Sequence, residues 1–215
     1  MEKISLREII ETKGFSKAFG KMVGYTVKEG KESMLKYLGD SKNGIFTVSY
    51  GGCDSMKKDA NHPPSISLDN AGIKSSDNDL WEFFGDKYID FHTHPSKSCE
   101  EDLGFSEEDL GLMGCSFEME ELLNQKLVHP LYGVVVVPSD KLLKAKSLFF
   151  TPESRQSLSN ATKENKRYGP FTKGDALKFL RRYGKADIVD FQYHNRIWQP
   201  VQKDEKKLED YVFTQ

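Results

Sequence analysis

Tyr88-Ile89-Asp90-Phe91-His92-Thr93-His94-Pro95 is the stretch on which the reading of this chain turns. Apolar Tyr88, Ile89 and Phe91 predict a strand over Lys87 to His94. Side chains alternate across a strand, so the imidazoles of His92 and His94 share one face. Pro95 lacks an N–H, and it ends the ladder and turns the chain. Only five histidines occur in 215 residues, so a His-x-His at a strand end points to a shared metal ion.

A hydrolytic zinc needs about three protein ligands and one open position. Downstream of the histidines stands Ser106-Glu107-Glu108-Asp109-Leu110. Leu110, Met113, Phe117, Leu122 and Leu123 predict a helix from Ser106 to about Gln125. Ser106 is placed to cap it, with Asp109 at the third helical position. Positions i and i+3 share a helix face, so one orientation points both residues at the histidines. Asp102 and Glu101 are the other acids close enough in sequence to serve as the third ligand.

Outward from this segment the chain reads as mixed α/β. Gly133-Val134-Val135-Val136-Val137 has the look of a buried central strand, and Ser147 to Phe150 of a second one. Upstream, Glu32 to Leu38 and Ile45 to Tyr50 read as two strands of a hairpin, joined by a turn ending in Asn43-Gly44. Leu6 to about Val23 has helical spacing, with Ser5 and Glu8 as a capping box and Gly14 weakening its middle. Gly51 to Asp79 is polar and reads as a long loop. After Ser154 the chain turns polar again, with a short helix over Lys173 to Tyr183 and strand-like stretches over Ile188 to Tyr193 and Arg196 to Val201. We divide the sequence into a domain over 1–154 and a C-terminal extension over 155–215.

Composition narrows the class. The net charge is −2, which supplies no basic field for nucleic acid. Three cysteines, Cys53, Cys99 and Cys115, form no CxxC and no disulfide framework, so the expected setting is reducing and cytoplasmic. The first residues carry no apolar targeting segment, and no apolar run approaches the ~20 residues of a helical membrane span.

His-x-His-Pro followed by Ser-x-x-Asp, with a glutamate upstream, resembles the JAMM/MPN+ motif of the JAB1/MPN/Mov34 metalloproteases. The resemblance covers roughly Met22 to Phe150. It implies a JAB/MPN-like core, related to the three-layer cytidine-deaminase architecture, with a mixed sheet flanked by helices. It implies that His92, His94 and Asp109 bind one catalytic zinc. It also implies that Ser106 stabilises the tetrahedral intermediate and that an upstream glutamate is the general base. Glu32, which opens a strand ending at Gly39 before the hairpin turn, reproduces the family spacing; Glu29 and Glu11 are the weaker choices. The substrate class so implied is a peptide or isopeptide bond, including those of ubiquitin-like proteins. The His94–Ser106 spacing, with eleven residues between, is longer than the family's usual one, an excess a loop absorbs at small entropic cost.

Two other readings remain. Amidohydrolases and PHP-type phosphoesterases also carry His-x-His on a first strand, but in barrels of about 250 residues. A scaffold member of the same superfamily would keep the fold without the ion. His62 is read as a solvated loop residue and His129 as a structural residue at a helix-to-strand turn, while His194, in the C-terminal extension, is assigned no role.

Overall fold

A computed structural model describes residues 3–38, 45–50, 87–94, 103–123, 130–137, 143–168 and 173–214. The turn over 39–44, the loop over Gly51 to Asp79, Asp102, Glu101, His62 and His129 lie outside the described residues, as does the insert after His94 as far as 102.

The chain opens with a short strand β1 (Lys3–Ser5) and helix α1 (Leu6–Ile10). Ser5 and Glu8 form the expected reciprocal capping box. The single helix expected to about Val23 is instead two. Thr12 interrupts it, its side chain accepting from the Phe15 amide at 3.1 Å, and starts α2 (Lys13–Glu29). Gly14 lies in the first turn of α2, where a glycine costs little, and the helix runs past Val23. Gly30 stops it in the left-handed conformation at φ 64°, donating to Thr26 O. That turn sends the chain directly into β2 (Ser33–Leu38), which pairs antiparallel with β3 (Ile45–Tyr50).

Next come β4 (Lys87–His94), α3 (Glu107–Leu123), β5 (Leu131–Val136) and β6 (Lys144–Pro152). They are followed by α4 (Arg155–Tyr168), α5 (Lys173–Leu180), β7 (Gly184–His194) and β8 (Ile197–Pro200). A 3-10 turn at Gln202–Asp204, α6 (Glu205–Glu209) and β9 (Val212–Thr214) close the described chain. Strands β2 to β8 make one seven-stranded sheet in the order β3-β2-β4-β5-β6-β7-β8, and β1 pairs with β9 in a second, two-stranded one. Among these pairs only β4–β5 is parallel, with α3 in the crossover between them. The sheet is therefore open and mixed, unlike the all-parallel barrel of the amidohydrolase reading.

Each face of the sheet carries its own core. Leu35, Tyr37, Ile89, Phe91, Val135, Phe149, Val189 and Phe191 pack with α1 and α2. Tyr132, Val134, Val136, Leu148, Phe150 and Ala186 pack with α3, α4 and α5. The result is helix, sheet, helix. Gly133 lies on the central strand between Phe91 and Phe149, whose rings stack at 4.9 Å. A Cβ at Gly133 would come within 2.5 Å of Phe91 Cδ1, so the missing side chain lets that ring cross β5. Among the described residues no helix is long and apolar enough to cross a membrane.

Candidate metal centre

Strand β4 ends the alternation with Asp90, His92 and His94 on the α3 side and Ile89, Phe91 and Thr93 on the α2 side. The two imidazoles meet, with Nε2 atoms 3.0 Å apart. Phe105 packs beside His92, ring centroids 6.4 Å apart, and limits where that ring can turn.

The third donor comes from the first turn of α3. Asp109 Oδ1 lies 3.2 Å from His92 Nε2, and Oδ2 lies 3.8 Å from His94 Nε2. The cap expected at Ser106 is present and reciprocal. The Ser106 amide donates to Asp109 Oδ2 at 2.7 Å, and the Asp109 amide donates to Ser106 Oγ at 3.0 Å. The cap thus fixes the carboxylate that faces the histidines, so capping and donation are one geometry.

The ligand atoms of His92, His94 and Asp109 all lie within 4.8 Å of one another, a group that can hold a metal ion. Neighbouring donors at about 2.05 Å from a tetrahedral ion stand about 3.3 Å apart. Two separations here, 3.0 Å between the imidazole Nε2 atoms and 3.2 Å from His92 Nε2 to Asp109 Oδ1, lie near that edge, and the second carboxylate oxygen stands 3.8 Å from His94 Nε2. Electrostatics agrees. Burial alone lowers the proton affinity of His92, but the charge of Asp109 and its hydrogen bond outweigh that. With further help from Glu32 and Asp90, they push the imidazole up to about 9. Burial raises the Asp109 carboxyl, yet His92 and His94 hold it far below the usual carboxylate range. The point where the donors converge therefore favours positive charge.

Met34 is the last register partner on β2, facing His92, and Glu32 stands just before the first residue of that strand. The charge of Glu32 is felt at His92. Glu29 instead caps out in solvent beside Lys28, at 2.9 Å. Glu11 pairs with Arg7 at 2.7 Å, before the start of α2. Asp90 is a site residue that the His-x-His reading leaves without a role. It stands two residues before His92 on the same face and supports its charge, a relation that strand alternation alone could have supplied. His194 is exposed at the end of β7, far along the sheet order from β4. No protein-family model matches this chain, and no curated protein matches it.

Proposed function

We propose that this protein is a zinc-dependent metallohydrolase of JAMM/MPN+ type that cleaves peptide or isopeptide bonds, with ubiquitin-like conjugates or precursors as its substrate class. The observation that carries the reading is the convergence of His92, His94 and Asp109, whose ligand atoms all lie within 4.8 Å of one another. Two neutral imidazoles and one carboxylate form the donor set of hydrolytic zinc sites, and they leave a coordination position for water. A zinc ion held there supplies Lewis acidity and makes water a usable nucleophile near neutral pH.

The remaining roles fall to the chain. Glu32, whose charge is felt at His92, takes the proton from the attacking water and passes it to the amine as the C–N bond breaks. The Ser106 hydroxyl, held at the helix start by the Asp109 amide, donates to the oxygen that gains charge in the tetrahedral intermediate. No covalent intermediate with the protein is needed, so the cysteines have no part in the reaction.

The test is a diffraction experiment across the zinc edge combined with a hydrolysis assay on isopeptide-linked ubiquitin-like conjugates. One zinc peak between the three donors and release of the free proteins, abolished by a chelator and restored by zinc, is the expected result. A peak with no cleavage of any conjugate leaves a metal-bearing binding module. No peak removes the metal centre.

A further inference from the structure

Behind the two histidines, on the α2 side of the sheet, three hydroxyls are buried together. Thr26 Oγ1 lies 2.5 Å from Thr93 Oγ1 and 2.8 Å from Ser33 Oγ. Ser33 Oγ donates to Met22 O at 2.7 Å, and the Ser33 amide donates to Thr93 Oγ1 at 2.9 Å. One proton order serves the three hydroxyls: Thr93 donates to Thr26, Thr26 to Ser33, and Ser33 to the α2 carbonyl, with the Ser33 carbonyl, 3.3 Å from Thr93 Oγ1, as the other acceptor within reach. All three residues are buried, Ser33 and Thr93 completely. Uncharged hydroxyls in such a place are costly unless paired, and here each is paired.

Their position is what matters. Thr93 stands between His92 and His94, and Ser33 follows Glu32. The backbone ladder between β2 and β4 stops at Met34 and His92. One step further on, the Thr93 side chain, not a main-chain carbonyl, receives the Ser33 amide. Thr26 then ties both strands to the last turn of α2, where its own carbonyl caps the helix through Gly30.

We propose that Thr26, Ser33 and Thr93 are positioning residues of the metal centre. By pinning Thr93 to the helix side, the cluster holds the flanking imidazoles outward at one separation. It also holds the start of β2 against the end of β4 through the Ser33 amide, next to Glu32. The inference rests on the metal-centre reading above.

The probe is Co2+, with affinity measured by chelator competition and coordination by visible absorption, alongside urea unfolding of the metal-free protein. Thr93→Val keeps the shape and removes the hydroxyl. It is expected to weaken Co2+ binding about 10-fold or more, the scale for groups that orient ligands, and to alter the absorption bands. Thr93→Ser restores both. Thr26→Val, one hydrogen bond removed from Thr93, shows the same change in weaker form. Ser147→Ala is the control: its hydroxyl is equally buried on the same face of the sheet and bonds Val134 O at 3.3 Å. It lowers stability and leaves Co2+ affinity unchanged. Thr93→Val binding Co2+ as wild type does, with an unchanged spectrum, overturns the inference while the metal centre stands. Equal loss of affinity in Ser147→Ala, or failure of both Val variants to fold, overturns it too, because the hydroxyls then serve stability alone. A wild-type protein that binds no Co2+ removes the metal centre and this inference with it.

Discussion

The Ser106 amide donates to Asp109 Oδ2 at 2.7 Å while Oδ1 of the same carboxylate stands 3.2 Å from His92 Nε2. One side chain therefore starts a helix and faces two imidazoles. Its two duties separate experimentally. Above pH 9, where His92 loses its proton, and in the presence of a chelator, Asp109→Ala is expected to cost about 1 kcal/mol of unfolding free energy through the hydrogen bond lost from the Ser106 amide. Asp109→Asn keeps an acceptor for the Ser106 amide and costs less under those conditions. Both variants lose metal affinity. Urea unfolding gives the first comparison, and an Ala variant as stable as the Asn variant would show that the cap contributes nothing.

His92→Ala and His94→Ala are each expected to leave the purified protein without stoichiometric metal, since either removes one of three donors. For the wild type, free zinc at 100 times its dissociation constant adds about 2.7 kcal/mol of stability. Elemental analysis and thermal unfolding with and without zinc read both effects. Retention of one zinc by His92→Ala excludes that residue from the centre.

Glu32→Gln should retain zinc and fall at least ~100-fold in turnover, the usual scale for removal of a general base. Glu29→Gln, which alters a solvent-exposed partner of Lys28, serves as the comparison and leaves turnover unchanged. Wild-type rates in Glu32→Gln would assign the base elsewhere, with Asp90, on the face of the imidazoles, the next acid.

Stability of the metal-free protein depends on pH through His92. Its proton is held more tightly folded, at about 9, than at the ordinary 6.5 of the unfolded chain. The contribution is complete below pH 6.5 and is lost as pH rises through 9. Asp109 has the opposite sense: its depressed pKa stabilises the fold above the ordinary carboxyl range and is lost in strong acid. With chelator present, the urea midpoint should therefore decline from about pH 6.5 to 9, and His92→Gln should flatten that slope. An unchanged slope in the variant assigns the titration to another group.

Gly133→Ala places a methyl group against the Phe91 ring, 2.5 Å from Cδ1. Overpacking of this kind costs about 1–3 kcal/mol. The same strand pairs with His92 through Val134, so the variant should also lower metal affinity modestly. Urea unfolding and zinc titration measure the two consequences, and a fully stable variant would mean that Phe91 finds another rotamer at no cost.

Where one residue pattern decided an element, the sequence was legible. Ile89 and Phe91 alternating with Asp90, His92 and His94 marked β4 at its observed bounds. Ser5 with Glu8, and Ser106 with Asp109, marked two helix starts. The break at Thr12 was missed because Leu6, Ile9, Ile10, Phe15 and Phe19 keep nearly one spacing across it, and only the cap at Thr12 betrays the new start. Helix α4 was missed for the reverse reason. Its buried stripe is just Leu158, Ala161 and Asn165, too thin to register in a polar stretch. The donor set could be read because its members lie on two adjacent elements. The hydroxyl cluster could not, because Thr26, Ser33 and Thr93 carry no motif and meet only when β2 pairs with β4 and α2 packs on both.

The bond from the Ser33 amide to Thr93, next to Glu32, has a temporal side. Seventeen residues separate His92 from Asp109, whereas sixty separate Glu32 from His92. Short loops close at lower entropic cost than long ones, so contacts near in sequence form earlier in folding. The segment from β4 to α3 can gather its cation donors before the hairpin arm carrying the glutamate has docked. On the reading proposed above, an immature chain would then gather its metal donors before its general base is in place.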